Sequence, residues 1–296
     1  MRPNPRTFGF LLRRSVVAAF DDNCFGIAKG AAYSALLSFF PILASAATVL
    51  VQTGVPFVSG ALENWLYQIV PPGAGDLVVQ QFHAAGKRPV GLLTLASVIS
   101  LSAASSVIKS LIEGFHAAYR VPRNRGFFHE SGVAAALALV SVVPLAAATL
   151  LIVFGSVAER AVMAWMKVDP VLHPWTSIWQ WLSQVGRYVL ALGAAVSVAA
   201  CLLYFGPYRR RRWHYVWPGA LLAAALWMLS TMGFGWYVRN MAHYNVIYGS
   251  VGAGIALLVW MYLLAASALI GCEFNAAYER GDAPPLQRSG APTLQA

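Results

Sequence analysis

Six long stretches without a charged side chain constrain this chain more than any other feature of its sequence. They are 19 to 29 residues long and cover residues 30–53, 90–108, 131–158, 188–208, 215–238 and 244–272. A bilayer hydrocarbon core about 30 Å thick takes roughly 20 apolar residues of helix to cross, because a helix rises about 1.5 Å per residue. Backbone amides find no water in hydrocarbon, so such runs form helices rather than open strands. The pattern predicts an all-α, polytopic membrane protein with six transmembrane helices.

The composition excludes an ordinary soluble domain. Hydrophobic residues make up 58% of the chain and charged residues only 11%, whereas charged residues make up about 25% of a typical soluble domain. A soluble chain of 296 residues could not bury this much apolar surface. The net charge of +10 would suit nucleic acid, but the positions of the charges favour another explanation.

Lysine and arginine residues accumulate on one side of the predicted membrane. Fifteen fall in one set of alternate segments and six in the other. Because positive residues are retained in the cytoplasm, both termini should be cytoplasmic. The basic run at residues 209–212 is better explained as an anchor to anionic lipid headgroups than as a nucleic acid contact. We therefore expect lipid headgroups on the cytoplasmic face, and no nucleic acid, as partners.

The chain divides into three parts. Residues 1–29 form a cytoplasmic amphipathic segment, because apolar side chains recur at helical spacing between residues 8 and 20 beside Arg13 and Arg14. Residues 30–275 form the six-span membrane domain. Residues 276–296, which are rich in proline, should be a disordered cytoplasmic tail.

Short interfacial helices should flank the spans. Residues 57–70 and 174–185 are aromatic and moderately apolar but too short to cross a bilayer. Tryptophan and tyrosine suit the headgroup layer because their rings are amphipathic. Both pieces are therefore predicted to be short helices on the outer surface.

Hydroxyl, small and proline residues within the spans have two interpretations. The second span contains serines at positions 97, 100, 102, 105 and 106, and Pro41 and Pro144 interrupt the first and third spans. Small residues let membrane helices approach closely, and prolines kink them. The serines serve either plain helix packing or a substrate path lined by hydroxyls.

Several motifs resemble the YihY/BrkB family of bacterial inner-membrane proteins. They are the first-span segment 29–41 (KGAAYSALLSFFP), residues 217–220 (WPGA), Tyr237, residues 244–245 (YN), residues 248–253 (YGSVGA) and residues 271–276 (GCEFNA). The similarity runs roughly from Phe8 to Arg280, and Cys272 and Phe274 stand where the family has alanine and leucine. The resemblance implies a six-span inner-membrane protein. It does not imply an activity, because family members have carried ribonuclease BN and virulence labels, and related proteins have been linked to lipid handling and transport.

Nothing in the sequence suggests catalysis or a cofactor. A metal-dependent nuclease needs clustered His, Asp and Glu residues, but the six histidines are isolated and fall on both sides of the predicted membrane. The three cysteines have no paired spacing. We therefore expect neither an enzyme nor a bound cofactor or metal.

Ionisable side chains converge near the predicted cytoplasmic ends of three spans. Lys29 opens the first span, Lys109 and Glu113 close the second, and Glu273 with Asn275 closes the sixth. They either fix helix depth through ion pairs, for which Lys29 with Glu273 is one possibility, or form an inner vestibule for an anionic headgroup or solute.

A second polar group lies at the predicted outer turn between spans five and six. It contains Arg239, Asn245 and Tyr248, followed by Ser250 at the start of the sixth span. It is either a tight interfacial loop or the outer lip of a pathway. Tyr33, from the first-span motif, completes the candidate functional residues.

The favoured function is a transporter or lipid-handling protein for an anionic or amphipathic envelope compound. The alternatives are a structural or assembly partner of envelope machinery and a membrane-associated ribonuclease. A transporter should contain a polar cavity flanked by Pro41, Pro144 and the serines of the second span, whereas a scaffold should be tightly packed there. The substrate, its direction of movement and the oligomeric state do not follow from the sequence.

Overall fold

The computed structural model of the chain describes residues 5–52, 90–121, 126–165, 175–207, 212–240 and 244–282. Those residues are helical apart from short turns. The helices are α1 (Pro5–Asp21), α2 (Cys24–Gln52), α3 (Val90–Tyr119), α4 (Phe127–Trp165), α5 (Trp175–Phe205), α6 (Trp217–Asn240) and α7 (Tyr244–Asp282). A 3-10 turn, Trp213–Tyr215, comes just before α6. The predicted all-α fold is confirmed.

Five of these helices contain segments long and apolar enough to cross a membrane. They are Val98–Tyr119, Phe128–Ala148, Trp181–Phe205, Trp213–Tyr237 and Gly254–Arg280. The sixth long helix, α2, has 29 residues, of which Cys24–Phe39 form a shorter apolar segment. The protein is therefore a polytopic, multi-pass membrane protein.

Helix α1 lies against the end of α7 and is amphipathic, as its sequence predicts. Leu11 packs with Phe274, and the rings of Phe8 and Phe274 lie 5.4 Å apart. Asn23, in a left-handed conformation with φ of 53°, turns the chain from α1 into α2. Asparagine tolerates this conformation better than most residues, so the turn is sharp and local.

Helix α7 is the central helix at the end of the bundle where α1 packs. It packs against α1, α2, α3 and α6, and residues 271–277 are all buried. Leu269 of α7 joins Ile112 and Phe115 of α3 in the main apolar core. Helix α6, by contrast, exposes large apolar side chains such as Leu229 and Trp236, as expected of a surface that faces lipid.

The prolines and two of the serines fit within regular helices. Pro41 lies inside α2 and Pro144 inside α4. In α3, the Ser105 hydroxyl donates to the carbonyl of Leu101 at 2.6 Å, and Ser106 donates to Ser102 at 3.1 Å. Because these hydroxyls bond to their own helix, they support the packing interpretation.

Two boundaries differ from prediction. Residues 175–185 are the first part of α5 rather than a separate surface helix, since no proline or turn interrupts them before the span. Residues 276–282, which were predicted to be disordered, continue α7. Ala277 is buried and packs with Leu11 of α1, and this contact supports the additional helical turns. The predicted interfacial helix at residues 57–70 lies outside the described residues.

Candidate functional site at one end of the bundle

A fully buried carboxylate, Glu273, lies near the end of α7. The Cys24 thiol, at the start of α2, donates to its Oε1 at 3.6 Å. Arg280 Nη2 lies 3.8 Å from its Oε2, a distance too long for a hydrogen bond but short enough for an ion pair. A buried carboxylate without a cation would be strongly destabilising, so Arg280 compensates the charge of Glu273.

Arg280 also joins α7 to the end of α3. Its Nη1 donates to the carbonyl of Ala118 at 3.3 Å. The last carbonyls of a helix lack partners within the helix and carry partial negative charge, so a cation is stabilising there. One guanidinium therefore contacts both a buried acid and a helix C-terminus.

Arg120 follows immediately and has an unusual backbone conformation. Its φ is 52°, in the left-handed region. The amide of Arg120 donates to Ala117 and that of Val121 to His116, which is the hydrogen-bond pattern of a Schellman helix end. The side chain points to Asp22, with Nη2 3.9 Å from Oδ1. The arginine thus occupies a position that usually holds glycine.

Asn275 caps α6 from the side. Its Oδ1 accepts from the amide of Gly219 at 2.7 Å, and its Nδ2 donates to the carbonyl of Val216 at 2.9 Å. The first amides of a helix have no partner within it, so the side chain of α7 satisfies one of them. The predicted functional residue Asn275 therefore has a clear structural task.

Two glycines let α6 and α7 touch through their backbones. A Cβ at Gly219 would meet the carbonyl oxygen of Gly271, and a Cβ at Gly271 would lie 2.6 Å from the carbonyl oxygen of Gly219. Only glycine allows this approach. The motifs at residues 217–220 and 271–276 therefore meet at one helix crossing.

A pocket of about 370 Å³ opens beside Arg120 and Arg280, and we call it the arginine pocket. Its lining residues are Phe10, Arg13, Arg14, Val17, Ala18, Asp21, Arg120 and Arg280. The α1 residues among them recur at helical spacing, so they share one face of that helix. The pocket therefore lies between α1 and the ends of α3 and α7.

A second cavity, of about 270 Å³, lies inside the bundle, and we call it the apolar cavity. Five helices supply its lining: Ala31 and Ala35 of α2, Val107, Leu111 and Phe115 of α3, Val198, Ala199, Leu202 and Leu203 of α5, Ala223 and Trp227 of α6, and Trp260, Met261, Leu264, Ala265 and Ala268 of α7. The Trp260 indole donates to the Thr231 hydroxyl at 3.3 Å. Trp227 Nε1 is buried and has no hydrogen-bond partner among the described residues.

The predicted inner cluster is only partly assembled around Glu273. Lys29, one predicted partner of Glu273, is exposed on α2. Arg280 and Cys24 contact Glu273 instead. Lys109 is half-buried and Glu113 is exposed, one turn apart on α3. Tyr33 is 60% exposed on the outside of α2. The ion pair thus forms within α7 and not between α2 and α7.

Four further candidates lie where side chains are not described. The backbone of Arg239 is helical at the end of α6, and that of Asn245, Tyr248 and Ser250 is helical at the start of α7. Their side chains lie outside the described part of the structure, so the predicted outer lip remains a prediction.

Sequence reasoning missed the residues that complete the site. In the sequence, Arg120 and Arg280 contribute only to the charge asymmetry, and Cys24 has no paired spacing with another cysteine. One signal was available: Glu273 and Arg280 are seven residues apart, which places them on the same helix face. The approach of Arg120 to Asp22 depends on tertiary structure and has no such signal.

Metal ligands do not cluster in the described part of the chain. Over these residues, no group of three His, Cys, Asp or Glu side chains is close enough to hold a metal ion. The structure instead shows arginines beside the buried Glu273 and the partly buried Asp22 at one end of the bundle, and a separate apolar cavity.

Comparison with known proteins shows relatives along most of the chain. The ribonuclease-like protein YfkH of Bacillus subtilis is 30% identical over 247 residues, which is 83% of this chain and 86% of the relative. A UPF0761 membrane protein of Xanthomonas campestris is 29% identical over 282 residues, and one of Xanthomonas axonopodis is 29% identical over 285 residues. Each alignment covers 92% of this chain but only 60% and 62% of the respective relative. No solved structure matches the chain.

The family comparison agrees with the resemblance found in the motifs. The model of the family described as Virulence factor BrkB matches residues 16–293. That match includes all six long helices and the crossing of Gly219 with Gly271. The chain belongs to the Virulence factor BrkB family.

Proposed function

We propose that this protein is a transporter or lipid-handling protein for an anionic, amphipathic envelope compound, and that it lies in a bacterial inner membrane with both termini in the cytoplasm. The observation that carries the proposal is the apolar cavity of about 270 Å³ inside the bundle. Its volume is just below the range of about 300–1,000 Å³ that is typical of small-molecule sites. Such sites are usually concave and apolar, so the cavity supports ligand binding over a purely structural role.

The lining of the cavity identifies the kind of group that fits it. Alanine, leucine and valine side chains dominate, and neither Pro41, Pro144 nor the serines of α3 line it. It is therefore not the polar cavity expected from the sequence. An apolar lining favours a hydrocarbon tail over a hydrophilic solute, because burying unpaired polar groups is unfavourable.

Filling the cavity tests the proposal. Ala199→Leu and Ala268→Leu add methyl groups to the lining from α5 and α7, so each should weaken binding of a short-chain anionic lipid by about tenfold or more, or about 1.4 kcal/mol. Binding is measured on the purified protein in a neutral detergent. Transbilayer movement of a labelled anionic lipid is measured in liposomes.

A matched control is Ala136→Leu, since Ala136 is exposed on α4. It should leave binding and movement unchanged. If Ala136→Leu and Ala268→Leu changed lipid binding equally, the apolar cavity would not be the ligand site. Binding without any movement would limit the function to lipid binding.

The name of the relative YfkH points to a different activity. Ribonuclease action is tested by incubating the same purified protein with RNA and a divalent cation. Under the lipid proposal, no cleavage should occur above that of a preparation from cells lacking the protein. Cleavage that copurifies with the protein would favour the enzyme alternative.

A further inference from the structure

The arginine pocket gathers guanidinium groups from three separate parts of the chain. Arg13 and Arg14 come from α1, Arg120 follows α3, and Arg280 lies in the last turn of α7. Guanidinium groups present planar forks of donors that match phosphate oxygens. Bringing such groups together without a ligand is unfavourable, because like charges repel.

The acids nearby leave part of this charge uncompensated. Arg280 is paired with Glu273, and Arg120 lies 3.9 Å from Asp22. Arg13 and Arg14 are exposed and make no ion pair within the described part of the chain. Asp21 is the acidic member of the lining. Arg13 and Arg14 are therefore available to contact an anion.

The backbone of Arg120 provides independent support. Its φ of 52° is unfavourable for a residue with a Cβ, and glycine is the usual residue at this position of a helix end. Residues in such conformations cluster at functional sites. The arginine at this position contributes a cation to the pocket that glycine would not.

One edge of the pocket is apolar and exposed. Phe10 is 64% exposed and Val17 is 52% exposed, on the same face of α1 as Arg13 and Arg14. An exposed apolar edge beside basic residues is typical of helices that lie in the headgroup layer of a membrane. A phosphate carried by a lipid would satisfy both the guanidinium groups and the apolar edge.

We infer that the arginine pocket binds the phosphate group of an anionic lipid headgroup. This inference rests on the proposed function, because it supplies the site for the polar end of the ligand whose apolar part occupies the cavity. Helix α7 contributes Ala268 to the cavity and Arg280 to the pocket. These residues lie about 18 Å apart along the helix axis, given a rise of about 1.5 Å per residue, so one membrane leaflet can contain both.

Three single substitutions test the site. Arg14→Gln removes an exposed cation of the pocket, and Arg120→Gly removes another while relieving the backbone strain. Arg187→Gln is the control, because Arg187 lies in the first half of α5 and lines neither the pocket nor the cavity. The binding constants of dioctanoyl phosphatidic acid and dioctanoyl phosphatidylcholine are measured for each full-length protein in a neutral detergent.

We expect phosphatidic acid to bind the unmodified protein more tightly than phosphatidylcholine does. Arg14→Gln and Arg120→Gly should each weaken phosphatidic acid binding by about tenfold, or about 1.4 kcal/mol, and Arg187→Gln should not. Competition with glycerol 3-phosphate tests whether a soluble phosphate compound also binds in the pocket. If glycerol 3-phosphate competes, the pocket binds phosphate without a tail. If it does not compete, the lipid tail is required for binding. Both results support the site.

Folding is checked with the same variants. Arg120→Gly should leave the unfolding temperature unchanged or raise it, because it places glycine in a left-handed position. A role for Arg120 only in stability predicts a lower temperature instead. Loss of binding together with unchanged stability is the signature of a binding residue.

Other outcomes would overturn the inference. Equal binding of the two lipids, or equal weakening by Arg187→Gln and Arg14→Gln, would show that the pocket does not select an anionic headgroup. Normal binding by both pocket variants with loss in Ala268→Leu would reject the phosphate site and leave the proposed function standing. The reverse pattern would reject the cavity and retain the phosphate site.

Discussion

Glu273 and Arg280 lie seven residues apart on α7, and Arg280 connects the buried carboxylate of Glu273 to the C-terminus of α3 through the carbonyl of Ala118. Glu273 is fully buried, whereas the side chain of Arg280 is 36% exposed. The pair therefore has one end in the protein interior and the other at the arginine pocket. Its two members should respond very differently to substitution.

Arg280→Ala should destabilise the protein strongly. It leaves Glu273 buried without a cation, a change that typically costs about 3–5 kcal/mol. Glu273→Gln should cost less, since the amide retains a hydrogen-bonding group for Cys24 and the exposed part of Arg280 can be hydrated. Thermal unfolding in detergent measures both, and the double variant should be more stable than Arg280→Ala alone. Additive losses in the double variant would show that the two side chains do not interact.

Gly219→Ala should be destabilising, by about 1–3 kcal/mol, because the new methyl group would clash with the backbone of Gly271. Gly233 lies in the same helix with nothing within 4 Å of a Cβ added there. Gly233→Ala should therefore be neutral or stabilise α6 by about 0.5–1 kcal/mol. Unfolding temperatures of the two variants provide the comparison, and equal shifts would contradict the close contact of α6 with α7.

Asn275→Ala should loosen the start of α6. It removes the acceptor for the Gly219 amide and the donor to the Val216 carbonyl. Loss of a helix cap typically costs about 0.5–2 kcal/mol. Hydrogen exchange of residues 217–220 should become faster, while exchange in the centre of α4 stays unchanged. Unchanged exchange at residues 217–220 would contradict this capping role.

The orientation in the membrane is a separate prediction. Reporters fused to the two ends of the chain should both be active in the cytoplasm and inactive in the periplasm. This expectation rests on the excess of lysine and arginine in alternate segments. Two reporters in opposite compartments would require an odd number of spans, and two periplasmic reporters would place the arginine pocket on the outer side.

The sequence predicts the helices well because the solvent imposes them. In hydrocarbon, a long uncharged segment has to form a helix, so α3 to α7 follow from residue type alone. The exceptions have local causes. Residues 175–185 continue into α5 because nothing interrupts the helix, and residues 276–282 remain helical because Ala277 packs on Leu11.

The candidate site was harder to predict, because it depends on how helices distant in sequence are packed. Glu273 and Asn275 were identified from their position and from the family motif, and both are fully buried with specific partners. Their partners Cys24 and Val216 lie far away in the chain. The left-handed conformation of Arg120 is also a property of the folded helix end that its residue type does not suggest.

Helix α7 has a consequence for how the two ends of a ligand could communicate. Met261 and Ala268 border the apolar cavity, Gly271 touches α6, and Arg280 borders the arginine pocket. One continuous helix thus borders both sites and is held against α6 between them. Under the proposed function, a displacement of α7 by the tail of the ligand would reach the guanidinium groups, so tail length and headgroup affinity should be coupled.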